Sequence, residues 1–179
     1  TIGLLDLVMI KYIFLAYLFL FLSCSHLTKS SHVMISSQGK KTTQIGLDII
    51  KQGGNLFDAA AAMSFAISVE RPQSTGIGGG GFMMIRHASS EKIEAVDFRE
   101  KAPLKSSSKM FLDSSGNEIK NKSLNGIFAS GVPGLVAGVI EIHQKYGKLP
   151  LNQIIEPAIQ LALNGIEIDS HLDSALEKR

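Results

Sequence analysis

The stretch that most limits how this chain can fold runs from Asn55 to Val69. Asn55 is a strong helix N-cap, and Asp58, three residues on, falls in the positive first turn. The helix that follows, Leu56 to about Val69, is apolar nearly all round: Ala59 to Ala62, Met63, Phe65, Ala66 and Ile67 leave no polar face. Such a helix must be buried on most sides, and its alanines let neighbours approach closely. It is expected to be the centre of the domain.

The flanking sequence supplies the neighbours. Thr43 to Gln52 reads as a helix with Ile45, Ile49 and Ile50 on one side, Gly53-Gly54 as its stop and Thr43 at its N-cap. Val33-Met34-Ile35-Ser36 is a short strand candidate. After the break at Arg71-Pro72, Phe82 to Arg86 and Lys92 to Phe98 read as two strands of a hairpin turning through His87 to Glu91. Lys101 to Asn125 is polar and irregular, and is expected at the surface. A third helix is expected over Leu135 to Lys145. A fourth helical region starts near Leu151, with Pro157 forcing a kink or restart and Gly165 closing it. Ile168 to Arg179 begins like a capped helix. Helix, helix, strand, strand, helices is a mixed α/β order.

The chain starts at Thr1, and its first methionine is Met9. From there the pattern is that of an export signal: Lys11, an apolar run from Tyr12 to Leu22, then Ser23-Cys24-Ser25. The run suits a signal better than a bilayer span, which needs about 20 residues, or a buried helix. Residues 1–8 are thus expected to be upstream translated or cloning-derived sequence, 9–24 a signal peptide, 25–31 a tether and 32–179 one domain, with both ends truncated. Cys24 is the only cysteine, so no disulfide forms within the chain. It is either a lipidated first residue or passed over by ordinary cleavage near Ser25. The product is exported, periplasmic or extracellular, with a lipid tether in the first case.

The remaining motifs narrow the chemistry. Gly76, Gly78 and Gly81 have dinucleotide-fingerprint spacing, but a helix precedes and a strand follows, the reverse of what phosphate binding needs. The glycine run is better read as a close-packed crossing into the strand. Thr42-Thr43 has no evident base beside it. The histidines His26, His32, His87, His143 and His171 have no metal-ligand spacing, so no metal or cofactor is expected. Net charge is +2 with no tryptophan and no basic–aromatic stretch, which argues against nucleic-acid binding. Asp97-Phe98-Arg99-Glu100 stands out at a strand end. Arg99 could grip a carboxylate through its two-pronged guanidinium. Residue chemistry alone favours a salt bridge to Asp97 or Glu100.

Several blocks together resemble the γ-glutamyltransferases. These are Gln52-Gly53-Gly54-Asn55-Leu56-Phe57-Asp58-Ala59-Ala60, Pro72 to Phe82, Asp97-Phe98-Arg99-Glu100-Lys101-Ala102-Pro103, Met110-Phe111-Leu112, Gly131-Val132-Pro133-Gly134, Lys145 to Pro150 and Pro157-Ala158. They stand in the family's order from about Met34 to Ile168. The resemblance implies an α/β fold of the N-terminal-nucleophile hydrolase type, a four-layer αββα sandwich, present here as an N-terminal fragment. It implies an inactive precursor that cleaves itself into two subunits that stay together. The nucleophile is then a threonine at the start of the small subunit, beyond residue 179, so no catalytic residue lies in this chain and the fragment alone is inert. It implies γ-glutamyl transfer from, and hydrolysis of, glutathione and other γ-glutamyl amides, with water or an amino acid or peptide as acceptor. Arg99 would bind the γ-glutamyl α-carboxylate, which reverses the preference for a salt bridge, and Glu100 would orient Arg99. The alternatives are a cephalosporin-acylase-like amidase of the same superfamily, and a non-catalytic, uncleaved surface binding protein.

Overall fold

A computed structural model describes residues 33–178. The signal pattern and Cys24 lie outside the described residues. Every described helix and strand belongs to the unit Ile35–Arg179. The elements are α1 (Lys40–Lys51), α2 (Leu56–Glu70), β1 (Phe82–Arg86), β2 (Ile93–Asp97), a 3₁₀ turn (Ile127–Ala129), α3 (Leu135–Tyr146), α4 (Leu151–Asn164) and α5 (Ser170–Glu177).

Helix α2 is the centre, as its composition requires. Helices α1, α3 and α4 all pack against it. Ala59, Ala61, Ala62 and Ala66 are at most 2% exposed, so backbones come close on several sides; Ala60 is only half-buried. Ile49 of α1, Leu135 and Val139 of α3, and Ile154 and Ala158 of α4 complete the core. Full burial of an Ile or Leu side chain contributes roughly 1.5–3 kcal/mol.

The start of α2 is tied more firmly than a cap alone would do. The Asn55 side chain accepts from the N–H groups of Phe57 and Asp58, and the Asp58 carboxylate accepts from the Asn55 N–H at 2.8 Å. Asp58 is fully buried and also takes the N–H groups of Lys148 at 2.9 Å and Leu149 at 3.3 Å. His143 Nε2 lies 3.3 Å from the same carboxylate and 3.0 Å from the Leu149 carbonyl oxygen. One side chain thus joins the N-terminus of α2 to the α3–α4 turn.

Three sequence expectations are corrected. Gly39, not Thr43, caps α1; Thr43 lies inside the helix and its hydroxyl donates back to the Gly39 carbonyl at 3.0 Å. The capping acceptor comes from elsewhere in the chain. Glu70, at the end of α2, accepts the N–H groups of Lys41 at 3.0 Å and Thr42 at 2.7 Å. Val33–Ser36 forms no strand, because no described residue offers it a ladder partner. Helix α4 does not restart at Pro157, which sits in its interior. Packing of Ile154 and Ala158 on α2 compensates for the donor that proline lacks.

The two strands pair antiparallel, from Phe82↔Asp97 to Arg86↔Ile93. One face of this hairpin turns toward the helices. The other leaves Phe82, Met84 and Ile93 more than half exposed.

Candidate functional site

Strand alternation sorts the residues of β2 before any contact is considered. Glu94, Val96 and Phe98 fall on the partly covered side, and Ala95, Asp97 and Arg99 on the exposed side. The covered side is bolted to the end of α3. Glu94 accepts from Lys145 Nζ at 2.8 Å and from the Tyr146 hydroxyl, with His87 Nε2 at 3.5 Å. Phe57 stacks on Tyr146 with ring centres 4.7 Å apart. Lys145 first, then Tyr146, hold the Glu94 carboxyl down at about 2.

Past the end of β2, residues 98–100 run between two glycine-lined walls. The first is the glycine run. Phe98 and Gly81 exchange backbone hydrogen bonds at 3.0 and 3.4 Å, extending the hairpin by a pair. A methyl group on Gly80 would meet the Phe98 carbonyl oxygen at 2.7 Å and the Arg99 Cα and Glu100 N at 2.8 Å. The second wall is the start of α3, where methyl groups on Gly134 and Gly138 would overlap the Phe98 carbonyl and the Phe98 ring. The Gly79 carbonyl oxygen accepts the N–H groups of Gly134 at 3.1 Å and Leu135 at 3.0 Å, locking the walls together. Lys101 and Val132 exchange hydrogen bonds at 3.2 and 2.8 Å, closing the far end. The close-packed reading of the glycine run is right for Gly80 and Gly81. Gly76 and Gly78 face open space.

Arg99 leaves this channel exposed. The salt bridge favoured by residue chemistry is absent: among the described residues no carboxylate lies within 4 Å of its guanidinium. Asp97 instead accepts the backbone N–H of Arg99 at 3.0 Å. Such a turn is common for Asp two residues ahead of an N–H, so the Asp-x-Arg spacing was a usable signal for it. Glu100 makes no hydrogen bond to Arg99 among the described residues; its side chain lies beside Gly79 and Gly131. The wall formed by Gly134 and Gly138 had a weaker signal, two glycines one turn apart at a helix start.

Two other expectations can be placed. The Thr42 hydroxyl does have a carboxylate beside it, Glu70 at 2.7 Å, contrary to the sequence reading. Thr42 is fully buried and that carboxylate is committed to the N-terminus of α1, so the pair is a cap. Among the described residues, no group of three or more His, Cys, Asp or Glu side chains is placed to hold a metal ion. No described helix is long and apolar enough to cross a membrane.

An apolar hollow of about 670 Å³ opens between α2, α4 and the glycine run, lined by Phe65, Val69, Ile77, Val136, Ile155 and Ile159 among others. Arg99 is not part of its lining.

Comparison with known proteins agrees with these features. Residues 42–179 match the family model described as gamma-glutamyltranspeptidase. The glutathione hydrolase proenzyme of Escherichia coli is 43% identical over 152 residues, which are 85% of this chain and 26% of that protein. The crystal structure of Helicobacter pylori gamma-glutamyltranspeptidase superposes with a TM-score of 0.76 at 42% identity, covering 82% of this chain and 43% of that one. A cephalosporin acylase from Bacillus halodurans gives a TM-score of 0.69 at 26% identity, covering 85% and 30%. The chain spans about a quarter of the length of the curated relatives it matches. Its α/β fold is that of the N-terminal-nucleophile hydrolases, represented here by a helical layer and one hairpin. With most of its length matched by one family model and its fold superposing on a solved member, this chain belongs to the γ-glutamyltranspeptidase family.

Proposed function

We propose that this chain is the N-terminal part of the large subunit of an exported enzyme that hydrolyses and transfers γ-glutamyl groups, and that Arg99 binds the α-carboxylate of the γ-glutamyl group. The observation that carries the reading is the state of Arg99: a guanidinium exposed at a strand end, with no carboxylate of the described residues within 4 Å, on a backbone walled in on both sides. A fixed fork of donors without a partner suits a planar anion that arrives with the substrate.

In this reading the remaining polypeptide supplies the chemistry. A threonine at the start of the small subunit attacks the γ-amide carbonyl of glutathione or a related amide, and its own amine takes the hydroxyl proton. The C–N bond breaks, the amine leaves with a proton, and a γ-glutamyl ester remains. Water or the amine of an amino acid or peptide then attacks the ester and regenerates the threonine. The exposed apolar face of Phe82, Met84 and Ile93 supports a further polypeptide layer, since a two-stranded hairpin alone is marginally stable. Glu100 then acts on Arg99 only after the site is complete. The signal pattern at 9–24, with lipidation at Cys24 or cleavage near Ser25, supports export.

The test is the protein expressed from its complete reading frame. It should split into two subunits and hydrolyse a γ-glutamyl anilide. Arg99→Lys keeps the charge and loses the fork. Charge-assisted hydrogen bonds are worth about 1.5–3 kcal/mol, so kcat/KM should fall by about 10- to 150-fold while maturation persists. The analogue without the α-carboxylate, 4-aminobutyryl anilide, should be cleaved poorly by wild type and little worse by the variant. Additive losses in this cycle would show that Arg99 does not touch the carboxylate. A frame without the downstream threonine would favour the non-catalytic binding protein. Preference for a glutaryl amide would favour the acylase-like alternative.

A further inference from the structure

Resting on the assignment of Arg99 to the substrate carboxylate, we propose that Asp97, Phe98 and Gly138 are positioning residues for that recognition: they fix the direction in which Arg99 leaves the strand. None of them need touch the substrate.

Two independent contacts set that direction. On the exposed side, the Asp97 carboxylate accepts the Arg99 N–H at 3.0 Å, closing a turn at the very residue whose side chain must be aimed. On the covered side, the Phe98 ring sits where any side chain on Gly138 would have to be, and a methyl on Gly81 would reach the ring at 2.9 Å. The ring is therefore wedged between β1 and α3 and cannot roll without pushing one of them. Consecutive side chains of an extended chain are directed to opposite faces, so a twist of this segment as a whole would turn Phe98 and Arg99 together. Holding Phe98 on one face holds Arg99 on the other. A long, flexible side chain reaches an anion from many directions. A backbone fixed at its root restricts it to few, which lowers the ordering cost on binding.

Asp97 is exposed, so its replacement leaves the core intact. In the complete, matured protein, the measured quantity is the ratio of kcat/KM for γ-glutamyl anilide to that for 4-aminobutyryl anilide. Asp97→Ala should lower this ratio by about tenfold through KM, with kcat nearly unchanged, equivalent to roughly 1.4 kcal/mol of lost carboxylate recognition. Asp97→Asn should keep the ratio, because an amide oxygen accepts the same N–H. Gly138→Ala should lower it too, and adding Phe98→Leu should restore part of it by removing the ring that the new methyl strikes. If Gly138→Ala does not mature, the Asp97 pair decides alone.

The outcomes separate cleanly. A wild-type ratio in Asp97→Ala and Gly138→Ala, with a collapsed ratio in Arg99→Lys, overturns the positioning and leaves the carboxylate assignment standing. A wild-type ratio in Arg99→Lys removes both. An equal loss in Asp97→Asn and Asp97→Ala would mean that the charge of Asp97 matters and not the turn, and that also overturns it.

Discussion

Asp58→Asn is the substitution whose cost the structure fixes most tightly. The wild-type carboxylate accepts three backbone N–H groups, from Asn55, Lys148 and Leu149, in a fully buried position. An amide of the same shape has one acceptor oxygen and one NH₂ group. If the oxygen faces Lys148 and Leu149, the NH₂ confronts the Asn55 N–H and half of the capping box is lost. If it faces Asn55, two donors of the α3–α4 turn are left facing donors. Either orientation forfeits at least one charge-assisted bond, worth about 1.5–3 kcal/mol, and strands a buried donor at about 1–3 kcal/mol more. The expected loss is thus about 2.5–6 kcal/mol, above the roughly 0.5–2 kcal/mol of removing the Asn55 cap by Asn55→Ala. Thermal unfolding of the purified protein, followed by circular dichroism, should show Asp58→Asn melting at least ~5 °C below wild type and below Asn55→Ala. A shift no larger than that of Asn55→Ala would mean that the bonds to Lys148 and Leu149 contribute nothing, and the joining role given to Asp58 would fail.

Three further outcomes are expected. Glu70 is held below the ordinary value of 4.5: partial burial opposes the shift, but the Thr42 N–H and hydroxyl, the Lys41 N–H and nearby Arg71 outweigh it. Its contribution is therefore complete above the unfolded pKa and fades as pH falls through the folded one, so the stability gap between wild type and Glu70→Gln should be open at neutral pH and shrink as pH falls below the ordinary value of 4.5; a gap that widens on acidification would reverse the sign. Ala62→Leu, at the centre of α2, should overpack the core and cost roughly 1–3 kcal/mol in a denaturant titration, whereas unchanged stability would remove α2 from the centre. Intact mass of the mature protein should lack Tyr12 to Leu22, with a diacylglyceryl increment on Cys24 if the signal is of the lipoprotein kind; retention of that run would refute the export reading.

The elements were largely legible because local rules coincide with the packing. The all-apolar α2, its Asn55–Asp58 cap and the alternation in β2 each need only a short window of sequence. What was illegible lies between elements distant in the chain. Nothing near Gly39 announces that Glu70 will cap α1, so Thr43, a good local candidate, took that place in the reading. Asp58 looked complete as a first-turn acid, and its bonds to Lys148 and Leu149 depend on how α3 returns to α2. The strand expected at Val33–Ser36 had the right composition, but pairing is a property of two segments. At the site, motif resemblance singled out Arg99. That its guanidinium has no carboxylate of the described residues within 4 Å, while Asp97 engages its backbone, depends on geometry that spacing cannot fix.

The bond from Glu70 back to the start of α1 has a kinetic side. Helices α1 and α2 are joined by the short Gly53–Gly54 turn at one end and fastened at the other by a carboxylate 28 and 29 residues downstream of the amides it serves. Closing a loop of that size costs little more entropy than closing a shorter one, since the cost rises only with the logarithm of length. The pair can thus zip shut using contacts within one continuous stretch, before β1, α3 or α4 has found its place. Amide hydrogen exchange at Lys41 and Thr42 reads this directly: protection appearing there early in refolding, ahead of Gly134 and Leu135, would mark the helical pair as the first part of the domain to assemble.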